Sequence, residues 1–318
     1  EAGEYSITVT DGNGCPSQTV TVTLTEPDEL LIDTYTSDDM SCFDVDDGFI
    51  DVSVTGGTGN INYVWSSLSG HSNTSVNDGL EQGLDAGEYT FTFTDANGCG
   101  PVSESGIIIN EPAEIEFSVT VSSDYNGAEI ECNGNSNGAI TITPTVITSP
   151  YDVSIDNGVT YTLTNQTGVV TVLGLSAGNY DIVLRDGSLS QCVSAAQTIS
   201  ISEPDPISIT SFTNTDPTCA GDNDGEIQII VSDGTPTYIY SWFDEMGDPI
   251  PSITTETASS LVAGDYSVSV TDINGCSPAT ENFTLNEPSP IILDALATNV
   301  LDVNCNGASN GSITGVSL

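Results

Sequence analysis

The chain of 318 residues carries 46 Asp plus Glu against one basic residue, Arg185, for a net charge of −45. Nucleic acid and anionic membrane surfaces are excluded as partners, because binding either depends on Lys and Arg. Carboxylate repulsion must be screened by salt or by bound cations, and 37% hydrophobic residues in regular strand patterns exclude a disordered acidic tail.

The chain opens on "EAGEYSITVTDGNGC" (Glu1–Cys15). The same parts return as "LDAGEYTFTFTDANGC" (Leu84–Cys99), "LSAGNYDIVLRDGSLSQC" (Leu175–Cys192) and "LVAGDYSVSVTDINGC" (Leu261–Cys276). Each copy has Ala-Gly-x-Tyr, an alternating strand, an Asp/Asn/Gly turn and a cysteine. Glu-Pro closes each unit at Glu26-Pro27, Glu111-Pro112, Glu203-Pro204 and Glu287-Pro288, at intervals of 85, 92 and 84 residues. The expected domains are therefore 28–112, 113–204 and 205–288. The C-terminal strands of a partial unit (1–27) precede them and the N-terminal strands of another (289–318) follow, as in a window on a longer array.

Within a unit the first predicted strand follows Glu-Pro: "ELLIDTY" (Glu29–Tyr35), "EIEFSVTV" (Glu114–Val121), "PISITSF" (Pro206–Phe212) and "PIILDAL" (Pro290–Leu296). A polar loop with the early cysteine comes next, as in "CFDVDDGFI" (Cys42–Ile50) and "CNGNSNGAI" (Cys132–Ile140). Its Asp/Asn-Gly reads as a turn in which Gly takes positive φ. Period-two strands follow, as in "FIDVSV" (Phe49–Val54) and "EIQIIV" (Glu226–Val231). Trp65 and Trp242 then fall where a sandwich places its central core tryptophan, a place matched less well by "SPYDVSID" (Ser149–Asp156). Tyr89, Tyr180 and Tyr266 precede the longest clean strands and are expected as core tyrosine corners. A hairpin turn and a last strand complete the unit. Nothing is periodic enough for a helix, and about seven short strands per unit predict an all-β tandem array of immunoglobulin-like sandwiches. The second unit lacks the Trp and replaces the Asn-Gly turn with "RDGSLSQ" (Arg185–Gln191), which predicts a longer hairpin.

The eight cysteines fall at two places per unit: Cys42, Cys132, Cys219 and Cys305 early, Cys15, Cys99, Cys192 and Cys276 late. No CxxC pair and a single His, His71, argue against zinc, so disulfides and an oxidising, extracellular compartment are expected. Pairing within a unit, the habit of secreted domains, would join Cys42–Cys99, Cys132–Cys192 and Cys219–Cys276, and is the expectation. Pairing across a linker would use all eight. Sandwich topology offers a further arrangement, an interdomain staple such as Cys42 with Cys192 or Cys132 with Cys276.

Taken together, Cys, Asp/Asn-Gly-x-Ile, Gly-Gly-Thr, Tyr-x-x-Trp, Leu-x-Ala-Gly-x-Tyr, Thr-Asp-x-Asn-Gly-Cys and Glu-Pro resemble the SprB-type repeat of very large Bacteroidota surface adhesins. The resemblance covers essentially the whole chain. It implies a cell-surface filament exported by the type IX system and, in gliding species, moved along the cell.

Calcium is the cofactor to weigh. Asp44, Asp46 and Asp47, then Asn133, Asn135 and Asn137, then Asp222 and Asp224 offer alternating oxygens before a Gly, like the first half of an EF-hand loop. The later acidic ligand is missing, which favours plain turn residues. Sequons at Asn73, Asn165, Asn282 and Asn310 are candidate glycosylation sites at unmatched places in their units. No nucleophile–base spacing supports catalysis.

The expected function is therefore a structural and adhesive module array without enzyme activity. Its expected partners are neighbouring repeats of the same chain, with surface polysaccharide or other filament chains as further candidates, and no direct membrane insertion is expected in this stretch. The alternative is a set of carbohydrate-binding or spacer modules of a secreted polysaccharide-processing enzyme. Ice binding through outward Thr rows is a weaker third reading.

Overall fold

The computed structural model describes residues 1–16, 18–147, 150–187, 191–292 and 299–314. Among these every regular element is a β-strand, and no helix is long and apolar enough to cross a membrane. By contacts the chain divides into two compact units, 1–118 with 143–168 and 181–197, and 119–142 with 169–180 and 198–318. Residues 188–190 of the expected long hairpin, Ser149, and residues 293–296 of the last expected strand lie outside the described residues.

The first unit opens on an exposed hairpin of β1 (Gly3–Ile7) and β2 (Val20–Leu24). The next strands are β3 (Leu31–Asp38), β4 (Gly48–Thr55), β5 (Asn62–Ser67), β6 (Ser72–Val76), β7 (Leu80–Leu84), β8 (Gly87–Thr94) and β9 (Val102–Ile109). They make two antiparallel sheets, ordered β3-β4-β7 and β6-β5-β8-β9. Period-two patterning turns Ile50 and Val52 of β4 inward, with Tyr63 and Trp65 of β5 and Tyr89, Phe91 and Phe93 of β8. Leu84, Ile107 and Ile109 close this core. Trp65 is fully buried at its centre, tilted against Phe91 at 5.5 Å and stacked on Tyr63 at 6.1 Å between centroids.

Seven strands follow: β10 (Glu116–Val121), β11 (Gly138–Val146), β12 (Tyr151–Ser154), β13 (Leu163–Gln166), β14 (Val170–Leu175), β15 (Gly178–Asp186) and β16 (Gln197–Ile201). Their sheets are ordered β10-β11-β14 and β13-β12-β15-β16. Tyr151, Val153, Ile182 and Leu184 are buried in the first unit, and Ile130 and Ile140 in the second.

The second unit continues with β17 (Ser208–Thr215), β18 (Gly225–Ser232), β19 (Tyr238–Phe243), β20 (Thr257–Leu261), β21 (Gly264–Asp272) and β22 (Ala279–Leu285), in sheets β17-β18-β20 and β19-β21-β22. Ile227, Ile229, Trp242, Val268, Val270 and Phe283 share one core. A hairpin of β23 (Asn299–Leu301) and β24 (Ser312–Thr314) ends the described chain.

Three expectations are corrected. Residues 205–288 form six strands among the described residues, not seven, because Pro249 and Pro251 fall where β6 has its counterpart and cannot donate to a ladder. The segment instead makes turns, with Ile250 N donating to Trp242 O at 2.8 Å and Ile253 N to Ile250 O at 3.1 Å.

Secondly, Gly48, Gly138 and Gly225, the glycines of Asp/Asn-Gly, do not take positive φ. Each starts a strand, and a Cβ there would stand 2.9 Å from the carbonyl oxygen of Leu84, Leu175 or Leu261 respectively. Close approach, not turn conformation, selects the glycine.

Tyr180 is the third correction: it is only half-buried, whereas Tyr89 is sealed and Tyr266 is 8% exposed. The His71 ring packs edge-on against Tyr89 at 5.7 Å, and no aromatic contact of that kind covers Tyr180 among the described residues.

Candidate functional site: two cysteine junctions

The early cysteines Cys42, Cys132 and Cys219 each sit in a loop clasped twice. The residue before Gly bonds back to the residue before Cys: Asp47 Oδ1 accepts Ser41 N at 2.8 Å and Asp224 Oδ1 accepts Thr218 N at 2.9 Å. The Ser41 and Thr218 hydroxyls donate to the second carboxylate oxygens. Asn137 Oδ1 does the same for Glu131 N at 3.2 Å. These hydroxyl bonds are the chief reason that the Asp47 and Asp224 carboxyls are held below their usual pKa.

The second clasp comes from the end of the unit, where the Glu of Glu-Pro reaches into the loop. Glu111 Oε1 accepts Asp44 N at 2.8 Å, Glu203 Oε2 accepts Gly134 N at 2.7 Å, and Glu287 Oε2 accepts Gly221 N at 2.7 Å. Sequence reasoning read Glu-Pro only as a boundary; the fixed Glu before every closing Pro was the signal for this bond.

The late cysteine ends a turn built on one aspartate. Asp95 Oδ1 accepts Asn97 N at 2.9 Å and Cys99 N at 2.8 Å, while Oδ2 accepts Thr58 N at 2.9 Å. Asp272 repeats this with Asn274 N and Cys276 N at 3.1 Å each and Thr235 N at 2.9 Å. Gly-Gly-Thr and Thr-Asp-x-Asn-Gly-Cys are thus two ends of one hydrogen-bonded device. The Cys99 amide is the leading reason that Asp95 is held below the usual carboxylate pKa.

The disulfides join Cys42 to Cys192 and Cys132 to Cys276, each with 5.5 Å between Cα atoms, at sequence separations of 150 and 144 residues. The expected pairs Cys42–Cys99, Cys132–Cys192 and Cys219–Cys276 do not form. Register explains why in the first unit. Met40 N bonds Asn110 O at 3.0 Å, which puts the early loop past Ile109, the far end of β9. Cys99 precedes Val102 at its near end. The strand between them spans roughly 25 Å. Cys15, Cys99, Cys219 and Cys305 are exposed free thiols.

Both junctions share one contact. Cys192 Sγ lies 3.1 Å from Ser41 O, and Cys276 Sγ lies 3.2 Å from Glu131 O, the carbonyl just before the early cysteine. The second junction adds a side chain. Asn274 Nδ2 donates to Tyr125 O at 3.2 Å and to Glu131 O at 3.1 Å, and Asn274 Oδ1 accepts from Asn126 Nδ2 at 2.6 Å. Tyr125 and Asn126 belong to a five-residue lengthening of the early segment: Pro112 to Cys132 spans 20 positions, Pro27 to Cys42 only 15. Asn274 was read from sequence as a turn residue alone.

The other candidates are dispersed. Asp46, Asn133, Asn135 and Asp222 are exposed, and Asn133 Nδ2 donates to Pro204 O at 3.1 Å. No three His, Cys, Asp or Glu side chains converge as a metal site among the described residues. Asn73 gives its amide nitrogen to both oxygens of buried Glu81 at 2.9 Å, and His71 Nε2 meets Glu81 Oε1 at 2.8 Å. Asn165 and Asn282 are exposed, and Asn310 Oδ1 accepts Asn304 N at 3.3 Å. The tyrosine hydroxyls of Tyr89, Tyr180 and Tyr266 donate to the carbonyls of Asp85, Ser176 and Val262 at 3.0, 2.9 and 3.0 Å. Arg185 Nη2 pairs with Asp152 Oδ2 at 2.7 Å and lies over the Tyr161 ring at 3.9 Å.

The chain is similar in structure to a tetra-tandem repeat from the extending region of a large adhesion protein, with TM-score 0.31 and 15% identity over 90% of this chain and 82% of that one. The FN1–FN3 domains of chicken CNTN1 align with TM-score 0.23 and 11% identity over 82% and 99%. The N-terminal eight Ig domains of Down Syndrome Cell Adhesion Molecule align with TM-score 0.26 and 11% identity over 90% and 58%. No curated protein matches the sequence. Two segments of the chain, residues 34–70 and 211–247, match the SprB repeat family.

Proposed function

We propose that the chain is a run of tandem modules, 28–112, 113–204 and 205–288, within an adhesive filament at the cell surface, and that it carries no catalysis. The observation that carries this reading is the pair of disulfides linking successive repeats, Cys42–Cys192 and Cys132–Cys276. A link from one repeat to the next serves load along a chain, whereas an independent domain is stabilised by links within itself. Further support comes from the two SprB repeats and from strand pairing, since no described ladder crosses Glu111-Pro112 or Glu203-Pro204. Disulfides suit an oxidising, extracellular setting. Both Trp side chains are buried, at 0% and 1% exposure, and so offer no stacking platform to a sugar.

Electron microscopy of the native material tests the proposal. Thin filaments with regularly spaced beads are expected. Separate globular particles bearing a larger appended domain would overturn it in favour of modules attached to a secreted enzyme.

A further inference from the structure

We propose that the turn Asp95–Cys99 is an unfilled plug, and the loop Thr218–Asp224 an unfilled socket, of the junction formed at Cys132–Cys276. Each takes a further module of the same repeat placed in tandem. The inference rests on the modular reading above and adds the specific surfaces and their partner.

The plug is already in its engaged shape. Asp95 holds Asn97 N, Cys99 N and Thr58 N as Asp272 holds Asn274 N, Cys276 N and Thr235 N. Gly98 N and Gly275 N close the two turns onto Asp95 O and Asp272 O at 3.0 Å each. Surroundings are what differ. Asn274 and Cys276 are half-buried against the early loop of the preceding repeat, while Asn97 and Cys99 are exposed.

The socket loop around the cysteine is prepared too, although the segment before Cys219 lacks the lengthening that carries Tyr125 and Asn126. Asp224 clasps Thr218 N at 2.9 Å, Glu287 clasps Gly221 N at 2.7 Å, and Asp222 N bonds Cys219 O at 3.1 Å. In the filled socket the same places are held by Asn137 on Glu131 N, Glu203 on Gly134 N, and Asn135 N on Cys132 O at 3.2, 2.7 and 3.0 Å. Thr218 O therefore stands where Glu131 O receives Asn274 and Cys276 Sγ.

Order along the chain selects the occupant. In both formed junctions the early cysteine lies in one repeat and the late cysteine in the next. Cys99 accordingly takes the early-cysteine loop of a module placed directly before residue 28, and Cys219 the late turn of one placed directly after residue 288. Closure needs an oxidant. The thiolate of one cysteine attacks a small-molecule disulfide such as oxidised glutathione and releases one thiol. The second thiolate then attacks the protein-bound sulfur, releasing the other thiol. Two electrons and two protons pass from the cysteine pair to the oxidant.

A chain of residues 1–288 followed directly by residues 28–318 tests this, because it sets the first copy's Cys219 ahead of the second copy's Cys99. Refolding with oxidised glutathione, then mapping of peptides by mass spectrometry after digestion at Glu, is expected to yield a Cys219–Cys99 link between copies. Cys42–Cys192 and Cys132–Cys276 should appear in both copies. Asn97→Ala in the second copy should make the new link about tenfold easier to reduce, the effect of losing a buried hydrogen bond. Recovery of Cys219 and Cys99 as alkylated thiols, with the other four links formed, would overturn the inference and leave the modular reading intact. Absence of Cys42–Cys192 and Cys132–Cys276 as well would overturn both.

Discussion

Glu203 Oε2 accepts a hydrogen bond from Gly134 N at 2.7 Å across 69 residues of sequence. The bond ties the last residue before the closing Pro to the loop that carries Cys132, so the end of one repeat sets the position of a sulfur bonded to the next. Glu203→Ala leaves that amide to water and should cost about 1 kcal/mol, the low end for a charge-assisted bond because the site is exposed. The more telling readout is local. Cys132–Cys276 should become several-fold easier to reduce while Cys42–Cys192 keeps its rate, as followed by timed alkylation. Equal acceleration of both links would show that Glu203 acts on global stability alone.

Acid should weaken the turns as it protonates the aspartates that hold them. Amide and hydroxyl donors hold the carboxyls of Asp47, Asp95 and Asp224 below the usual value, and those of Ser154 and Thr160 bring Asp156 to about 2. A carboxyl depressed in the folded state contributes stability that is full above its unfolded pKa near 4 and lost as pH falls through the folded value. Thermal midpoints are therefore expected to hold from neutral pH to about pH 5 and to fall below about pH 4. Asp95→Asn keeps one acceptor oxygen for the turn but none for Thr58 N. It should start less stable at neutral pH and show a shallower acid slope. An unchanged slope in calorimetry would remove Asp95 from this account.

Sequence patterning made the strands legible, because Phe49–Val54 and Glu226–Val231 alternate with the period of a half-buried sheet and Trp65 and Trp242 each set a large apolar ring within a short strand-like run. Spacing alone favours pairs within a unit, while sandwich topology offers the observed Cys42–Cys192 and Cys132–Cys276 only as a further arrangement. Choosing between Cys99 and Cys192 as partner of Cys42 requires knowing that Met40 pairs with Asn110 at one end of β9 while Cys99 stands at the other. That is a register property, and the choice between the arrangements is decided only once both sheets exist. Gly48, Gly138 and Gly225 were legible as special, but their reason was not: nothing local reports that a leucine carbonyl from a distant strand occupies the space a Cβ would need.

Asp222 should govern the reactivity of the free thiol beside it. Its charge, with its hydrogen bond, is the main cause raising the Cys219 pKa, and Asp224 adds to it. Fewer thiolates at a given pH mean slower alkylation. Asp222→Asn should shift the alkylation profile of Cys219 to lower pH and speed its reaction with iodoacetamide near pH 8, leaving Cys99 unaffected. High salt should narrow the gap between variant and parent, since an exposed charge is screened. A profile that does not move would mean that the carboxylate and the sulfur do not stay together in solution.

Trypsin offers the last check, because Arg185 is the only site it could use. The residue lies in β15, pairs across to Asp152 by strand register and by its guanidinium at 2.7 Å, and stacks over Tyr161. A protease needs the scissile segment extended and free, so cleavage must await local opening of the ladder. The folded chain is expected to stay whole under conditions that cut the denatured chain once, after Arg185. Asp152→Ala removes the carboxylate from a partly exposed pair, worth at most about 1 kcal/mol, and should raise the cutting rate by no more than about fivefold. Fast cleavage of the untreated native chain at this bond would show that the strand opens readily and that the ion pair does not hold it.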